Sequence, residues 1–178
     1  MRRAYLFGAA IPVLALALAS VENLPTKVIY NASASAPKGF YWIDQGAISR
    51  GDFVYAKVPK RVRDLITQRG YLPPNVPLLK RVVGLKGDQI CRAGDQISMN
   101  GIMVARAQRY DGKGRKMPGW HGCHIITDRT VFLLQDHSRS FDGRYFGPVD
   151  RRLIIGRATR LRFLGGNASK ANPAIRRN

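Results

Sequence analysis

Apolar residues in this chain fall in short runs, and that grain constrains the fold more than any other feature. Lys27 to Tyr30, Phe40 to Ile43, Phe53 to Val58, Leu78 to Leu85, Thr130 to Leu134 and Leu153 to Leu164 carry β-branched and aromatic residues, with Gly, Pro, Asn and Asp between them. Such runs read as strands, because branched and aromatic side chains suit a pleated surface and the intervening residues interrupt it. Asn100-Gly101, set between Gln96–Met99 and Ile102–Val104, predicts a hairpin, since a type I′ turn needs positive φ at both central positions. One segment has helical spacing: Val62, Leu65 and Ile66 share a face, and Gly70 can end the helix in the left-handed conformation. Tyr110 to Gly119 is rich in Gly and Lys and reads as a loop. The expected fold class is mainly β with one short helix.

Ahead of the strands, Met1-Arg2-Arg3 is a short positive region followed by the uncharged apolar run Ala4 to Ala19. A helix of that length rises about 24 Å, against about 30 Å of bilayer hydrocarbon. Ala17-Leu18-Ala19 has the small-x-small pattern of a cleavage site, so residues 1–21 read as a signal peptide or a short uncleaved signal anchor. In both cases the positive flank keeps the N-terminus in the cytoplasm and sends the remainder out. Residues 22–164 then form the exported domain, and Gly165 to Asn178, small, polar and basic, is expected to be a disordered tail. The two cysteines, Cys91 and Cys123, would lie in an oxidising space. A single bridge is the simplest arrangement; two free buried thiols are the alternative, because spacing alone does not bring the Cα atoms together. His121 and His124 flank Cys123, but the four-ligand spacing of a structural zinc site is missing, so no metal is expected.

Lys and Arg number 30 against 11 Asp and Glu, a formal net charge of +19. Such a chain is drawn to anionic surfaces, lipid headgroups or nucleic acid. No nucleic-acid-binding motif accompanies the charge, so specific nucleic-acid recognition is not expected. The charge alone names no partner, and contact with the inner-membrane surface is an expectation that draws on the export segment as well.

Three segments carry the chemistry. Ser33 to Gly39 is a run of small residues ending in Pro37-Lys38-Gly39, and taken locally it reads as a surface turn. In Leu78 to Leu85, strand alternation puts Lys80 on one face with Leu78 and Val82. An ammonium among aliphatics is costly unless it is paired or loses its proton; a lysine at a strand end can instead snorkel to solvent. Gln135 to Pro148 supplies hydroxyls, carboxylates and arginines after an apolar strand, and alone it reads equally as a polar loop.

Together these segments resemble the type I signal peptidase clan, and within it the TraF-type conjugal transfer peptidases that mature pilin. The nucleophile box Ser-x-Ser-x-Pro-x-Gly is matched by Ser33 to Gly39, and the general-base box Lys-Arg-Val-Val-Gly-Leu-x-Gly-Asp by Lys80 to Asp88. The last box, Ser-x-Asp-x-Arg-Tyr-Phe-Gly-Pro, is matched by Ser140 to Pro148. The boxes stand in the family's order behind an apolar N-terminal segment. General signal peptidases have Met after the nucleophile and a Pro-Thr step; Ser35-Ala36-Pro37 departs from that and favours the pilin-maturing branch.

The resemblance implies a signal-peptidase-like β-barrel or sandwich behind an N-terminal hydrophobic helix, acting in the periplasm without a cofactor. Ser35 would be the nucleophile and Lys80 its general base, as a neutral amine. Lysine titrates near ~10.4 and a useful base near ~7–8, a difference of about 4 kcal/mol that burial among apolar groups can supply. Ser140 would orient the Lys80 amine. The Ser35 N–H and the Ser33 hydroxyl would form the oxyanion hole, and Asp142 with Arg144 would support the site. The implied substrate is a pilin precursor, released by water or cyclised by attack of its own N-terminal amine. Two other readings stay open: a general type I signal peptidase, and a non-enzymatic basic periplasmic component of a secretion channel. The latter uses the charge but leaves Ser35, Lys80 and the ordered boxes unexplained.

Overall fold

The computed structural model describes residues 27–162. The apolar segment at residues 1–21 and the basic tail at 165–178 lie outside the described residues. Among the described residues no helix is long and apolar enough to cross a membrane.

The short apolar runs pair into two antiparallel sheets. The larger contains β1 (Val28–Asn31), β2 (Gly39–Asp44), β3 (Phe53–Ala56), β4 (Leu78–Gly84), β9 (Thr130–Leu134), β10 (Val149–Asp150) and β11 (Ile154–Arg160). Its strand order is β1-β2-β11-β3-β4-β9-β10. The smaller contains β5 (Gln89–Ala93), β6 (Gln96–Met99), β7 (Ile102–Arg106) and β8 (Gly122–Ile125), in the order β7-β6-β5-β8. The fold is mainly β, as the run pattern requires. Asn100 and Gly101 turn the β6–β7 hairpin with φ of 51° and 82°, the positive pair that a type I′ turn demands. Helix α1 (Lys60–Arg69) buries Val62 and Ile66 and stops at Gly70, whose φ of 66° and ψ of 29° are left-handed.

Two expectations need correction. A second helical turn, α2 (Gly143–Phe146), and a 3-10 turn at Arg151–Leu153 join the single helix that periodicity detects; segments of four and three residues are too short to show a period. Within the described part of the run from Leu153 to Leu164, which ends at Arg162, strand extends from Ile154 to Arg160. Strands β5, β8 and β10 carry little apolar pattern: all four residues of β8 are exposed, and pairing with β5 defines that strand.

Strand β4 organises the interior, because six of its seven residues are buried and Arg81 is the half-buried exception. Leu78 and Val82 pack with Val54, Val62, Ile66, Leu133 and Phe146 under α1. On the other face, Leu79 joins Ala36, Tyr41, Ile43 and Ala158. After a register shift between Val82 and Gly84, Val83 meets Ile90, Ile97 and Phe132, which binds the two sheets together. Each aliphatic or aromatic side chain so buried contributes about 1.5–3 kcal/mol. These layers hold Lys80 inside the sheet.

Candidate active site

The loop carrying Ser35 joins β1 to β2, whose register closes it with the Asn31–Gly39 pair. Asn31 is buried and builds the loop from within. Its Nδ2 donates to the carbonyls of Ser33 at 3.1 Å, Ala36 at 3.0 Å and Pro37 at 3.2 Å. Three acceptors around one nitrogen define which way the amide points. Oδ1 in turn accepts from Ser33 N at 3.2 Å and from Ser33 Oγ at 3.0 Å. Tyr41 Oη adds a bond to Pro37 O at 2.8 Å, and Ala36 is sealed in the core. The loop is thus a built platform with Ser35 half exposed upon it.

Ser33 Oγ and Ser35 Oγ lie 2.9 Å apart. Ser33 has one proton, and when it is given to Asn31, Ser35 is the donor of this pair. The Ser35 N–H makes no hydrogen bond among the described residues. Beside it opens a cleft of about 610 Å³, bordered by Ser35, Lys38, Arg81, Gln135, Asp136 and His137.

Lys80 is 5% exposed. Its ammonium donates to Ser140 Oγ at 2.8 Å, a contact between residues 60 apart in the chain. Ser35 and Lys80 are not directly hydrogen-bonded. Burial drives the Lys80 ammonium down from 10.5 to about 8; the Asp142 charge pulls it up and the Arg144 charge pushes it further down. A fraction of the amine is therefore neutral at ordinary pH, as proton abstraction requires.

Ser140 is held by the segment from Gln135 to Arg144. Asp142, fully buried, caps α2 by accepting from Arg144 N at 3.1 Å and also accepts from Gln135 N at 3.0 Å. Its ion pair with Arg144 Nη1 measures 2.8 Å with both partners buried. Burial pushes the Asp142 carboxyl upward, against the pull of Arg144, Lys80 and the two N–H groups. Arg144 also donates to the carbonyls of Gln135 at 2.6 Å, His137 at 3.2 Å and Ser140 at 3.4 Å. One guanidinium thus pins the backbone on both sides of the loop that presents Ser140. Removing one member of such a pair costs about 3–5 kcal/mol, because the other charge stays buried.

The structure brings together Lys80, Ser140, Asp142 and Arg144, and separately Ser33 and Ser35; the link between the two sets is Ala36 of the serine loop, which packs with Leu79, the residue before Lys80. Cys91 and Cys123 lie elsewhere, joined as a disulfide across the β5–β8 pair. Among the described residues no group of three or more His, Cys, Asp or Glu side chains is placed to hold a metal ion. Sequence reasoning missed Asn31, Gln135 and Gly143. Gln135 Nε2 donates to Leu79 O at 2.9 Å, tying the loop to the residue before Lys80. At Gly143 a Cβ would lie 2.5 Å from Leu133 O and 2.7 Å from the Phe132 ring. A Gln closing an apolar strand and an Asp-Gly step at a helix start were the available signals.

A family described as signal peptidase, peptidase S26, matches residues 2–163. A plasmid transfer protein TraF from Escherichia coli is 31% identical over 135 residues, 70% of this chain and 76% of that protein. A probable conjugal transfer protein TraF from Sinorhizobium fredii (strain NBRC 101917 / NGR234) is 34% identical over 143 residues, 72% of this chain and 73% of its own length. Signal peptidase I V from Bacillus subtilis (strain 168) is 30% identical over 104 residues, covering 52% of this chain and 61% of that protein. With the match running from residue 2 to residue 163, the chain belongs to the signal peptidase S26 family of peptidases.

Proposed function

We propose that this chain is a Ser–Lys endopeptidase that processes a pilin precursor in conjugal transfer, at the outer face of the inner membrane. The observation that carries the reading is Lys80: a buried ammonium, hydrogen-bonded to Ser140 and depressed to about 8, one residue along from Leu79, which packs against Ala36 of the Ser35 loop. The conjugal transfer relatives support the biological setting. The apolar run at Ala4 to Ala19 supports export with the N-terminus left in the cytoplasm, and the +19 charge supports contact with anionic lipid.

In the reaction Ser35 Oγ adds to the scissile carbonyl while neutral Lys80 takes its proton. With substrate bound, Ser35 exchanges its Ser33 partner for Lys80, since catalytic hydrogen bonds tighten in the complex. The oxyanion accepts from the Ser35 N–H and from Ser33 Oγ, each donor worth about 3–4 kcal/mol in other proteases. The protonated Lys80 passes its proton to the leaving amine. Water, or the N-terminal amine of the pilin itself, then attacks the acyl-enzyme; Lys80 accepts the proton of the attacking group and returns it to Ser35 Oγ as that oxygen leaves. The first route gives a linear product and the second a cyclic one.

The test is co-expression of the full chain with a prepilin from a conjugation system, comparing wild type with Lys80→Ala. Wild type yields processed pilin; Lys80→Ala yields only precursor. A cyclic product is one water lighter by mass than the linear one. Processing by Lys80→Ala at the wild-type rate refutes the dyad. The likeness to a signal peptidase I favours one other reading, removal of many signal peptides; loss of growth on depletion would select it.

A further inference from the structure

The smaller sheet touches the Ser140-bearing segment at two backbone carbonyls. Trp120, just before β8, donates its Nε1–H to Gly143 O at 2.9 Å. Its ring lies against Gly147, where a Cβ would stand 3.3 Å from the indole, and meets Phe132 edge-on. Arg92, on β5, donates Nη1 to Arg144 O and Nε to Gly94 O. The Arg92 guanidinium lies close under Gly119, 2.8 Å from where a Cβ would stand, so Gly119-Trp120 packs against it. Cys91 precedes Arg92 and Cys123 follows Trp120 by three residues; these cysteines are opposite each other in the β5–β8 register and disulfide-bonded. The bridge therefore fastens the two arms where they reach across to α2.

We infer that Trp120 and Arg92 are positioning residues: a disulfide-fastened clamp on the Gly143 and Arg144 carbonyls that sets where Asp142, Arg144 and Ser140 stand relative to Lys80. The inference rests on Lys80 being the general base. Neither residue belongs to the three boxes around Ser35, Lys80 and Ser140, and neither touches Lys80 or Ser35. Their reach is through a turn that cannot shift freely, because Gly143 is packed against Leu133 O and the Phe132 ring.

The charged groups that act on Lys80 are Asp142 and Arg144, both on this turn. From β3 the residue opposite Lys80 is Val54, and from β9 Leu134 and Leu133 stand opposite Arg81 and Val82. Loosening the turn admits water to Lys80 and removes part of the burial that depresses it, so its titration moves up toward the ordinary lysine value. At neutral pH less of the amine is then free to accept a proton.

Trp120→Phe in the full chain tests this, since the ring remains and the N–H is lost. Two readouts are needed: the Lys80 titration followed by NMR of ¹³Cε-labelled lysine, assigned against Lys80→Gln, and the pH profile of prepilin cleavage. The expected result is a Lys80 midpoint above the wild-type value, with kcat at pH 7 about 5- to 10-fold lower, the size of one hydrogen bond, and KM unchanged. Reduction of wild type, or Cys91→Ser with Cys123→Ser, should move both readouts the same way. Should Trp120→Phe not fold, Arg92→Lys and the reduced wild type carry the same test. A lower Tm with the Lys80 titration unmoved overturns the clamp and leaves Trp120 a packing residue. A moved titration without a change in kcat keeps the clamp and refutes Lys80 as the base.

Discussion

Replacing Lys80 by methionine should inactivate the protein and make it more stable. The unfolded chain presents an ordinary lysine near 10.5, whereas the folded one holds Lys80 at about 8. At about 1.4 kcal/mol for each factor of ten in proton affinity, the folded state carries a penalty of about 3 kcal/mol on the protonated amine. The sign follows from proton counting. Between pH 8 and 10.5 the unfolded chain holds a proton that the folded chain lacks, so wild-type stability climbs with pH across that window. Below pH 8 the penalty is present in full. Methionine removes the charge and fills a similar volume, but Ser140 loses its partner at 2.8 Å, a cost of about 1 kcal/mol. The net expectation at pH 7 is about 2 kcal/mol in favour of Lys80→Met, or a Tm about 4–8 °C higher. Urea unfolding of both proteins, disulfide intact, from pH 7 to 10.5 measures the gap. Tyr41, Tyr55 and Tyr145, which burial raises, titrate in both chains and cancel in the difference. The gap should close as pH passes from 8 to 10.5. A wild type that is the more stable at pH 7, or a gap that ignores pH, refutes the buried charged lysine.

The other predictions concern the frame around the proposed dyad. Asn31→Asp turns a carboxylate oxygen toward three carbonyls that now accept from Nδ2; prepilin cleavage should fall at least tenfold and further than in Asn31→Ala, and equal activities of the two would remove the loop-building role. Ser33→Ala should lower turnover about 10- to 1,000-fold without abolishing it, as loss of one oxyanion donor does, and unchanged turnover would take the Ser33 hydroxyl out of the oxyanion hole. Gly143→Ala drives a Cβ to 2.5 Å from Leu133 O and should cost about 3 kcal/mol of unfolding free energy; wild-type stability by denaturation would show that the turn yields.

Local chemistry made parts of this molecule legible from the chain alone. The β6–β7 hairpin follows from Asn100-Gly101, and α1 from the spacing of Val62, Leu65 and Ile66 with Gly70 behind them, because each of these signals acts over a few residues. The apolar runs located most strands of the larger sheet for the same reason. Strands β5 and β8 were beyond that reach: β8 is exposed along its length, and hydrogen bonding to β5, with Cys91 opposite Cys123 at a separation of 32 residues, makes it a strand. At the site, the boxes marked Ser35, Lys80 and Ser140 by resemblance, and Lys80 stood evenly between burial and solvent. Only the tertiary structure decided for burial, because β4 is flanked by β3 and β9 and covered on both faces. It also decided that the amine meets Ser140 across 60 residues, and that Asn31, Gln135, Trp120 and Arg92 hold the frame. Residue type and local period fix what a segment can become; which segments meet depends on strand order and register, and these emerge only when the sheets close on one core.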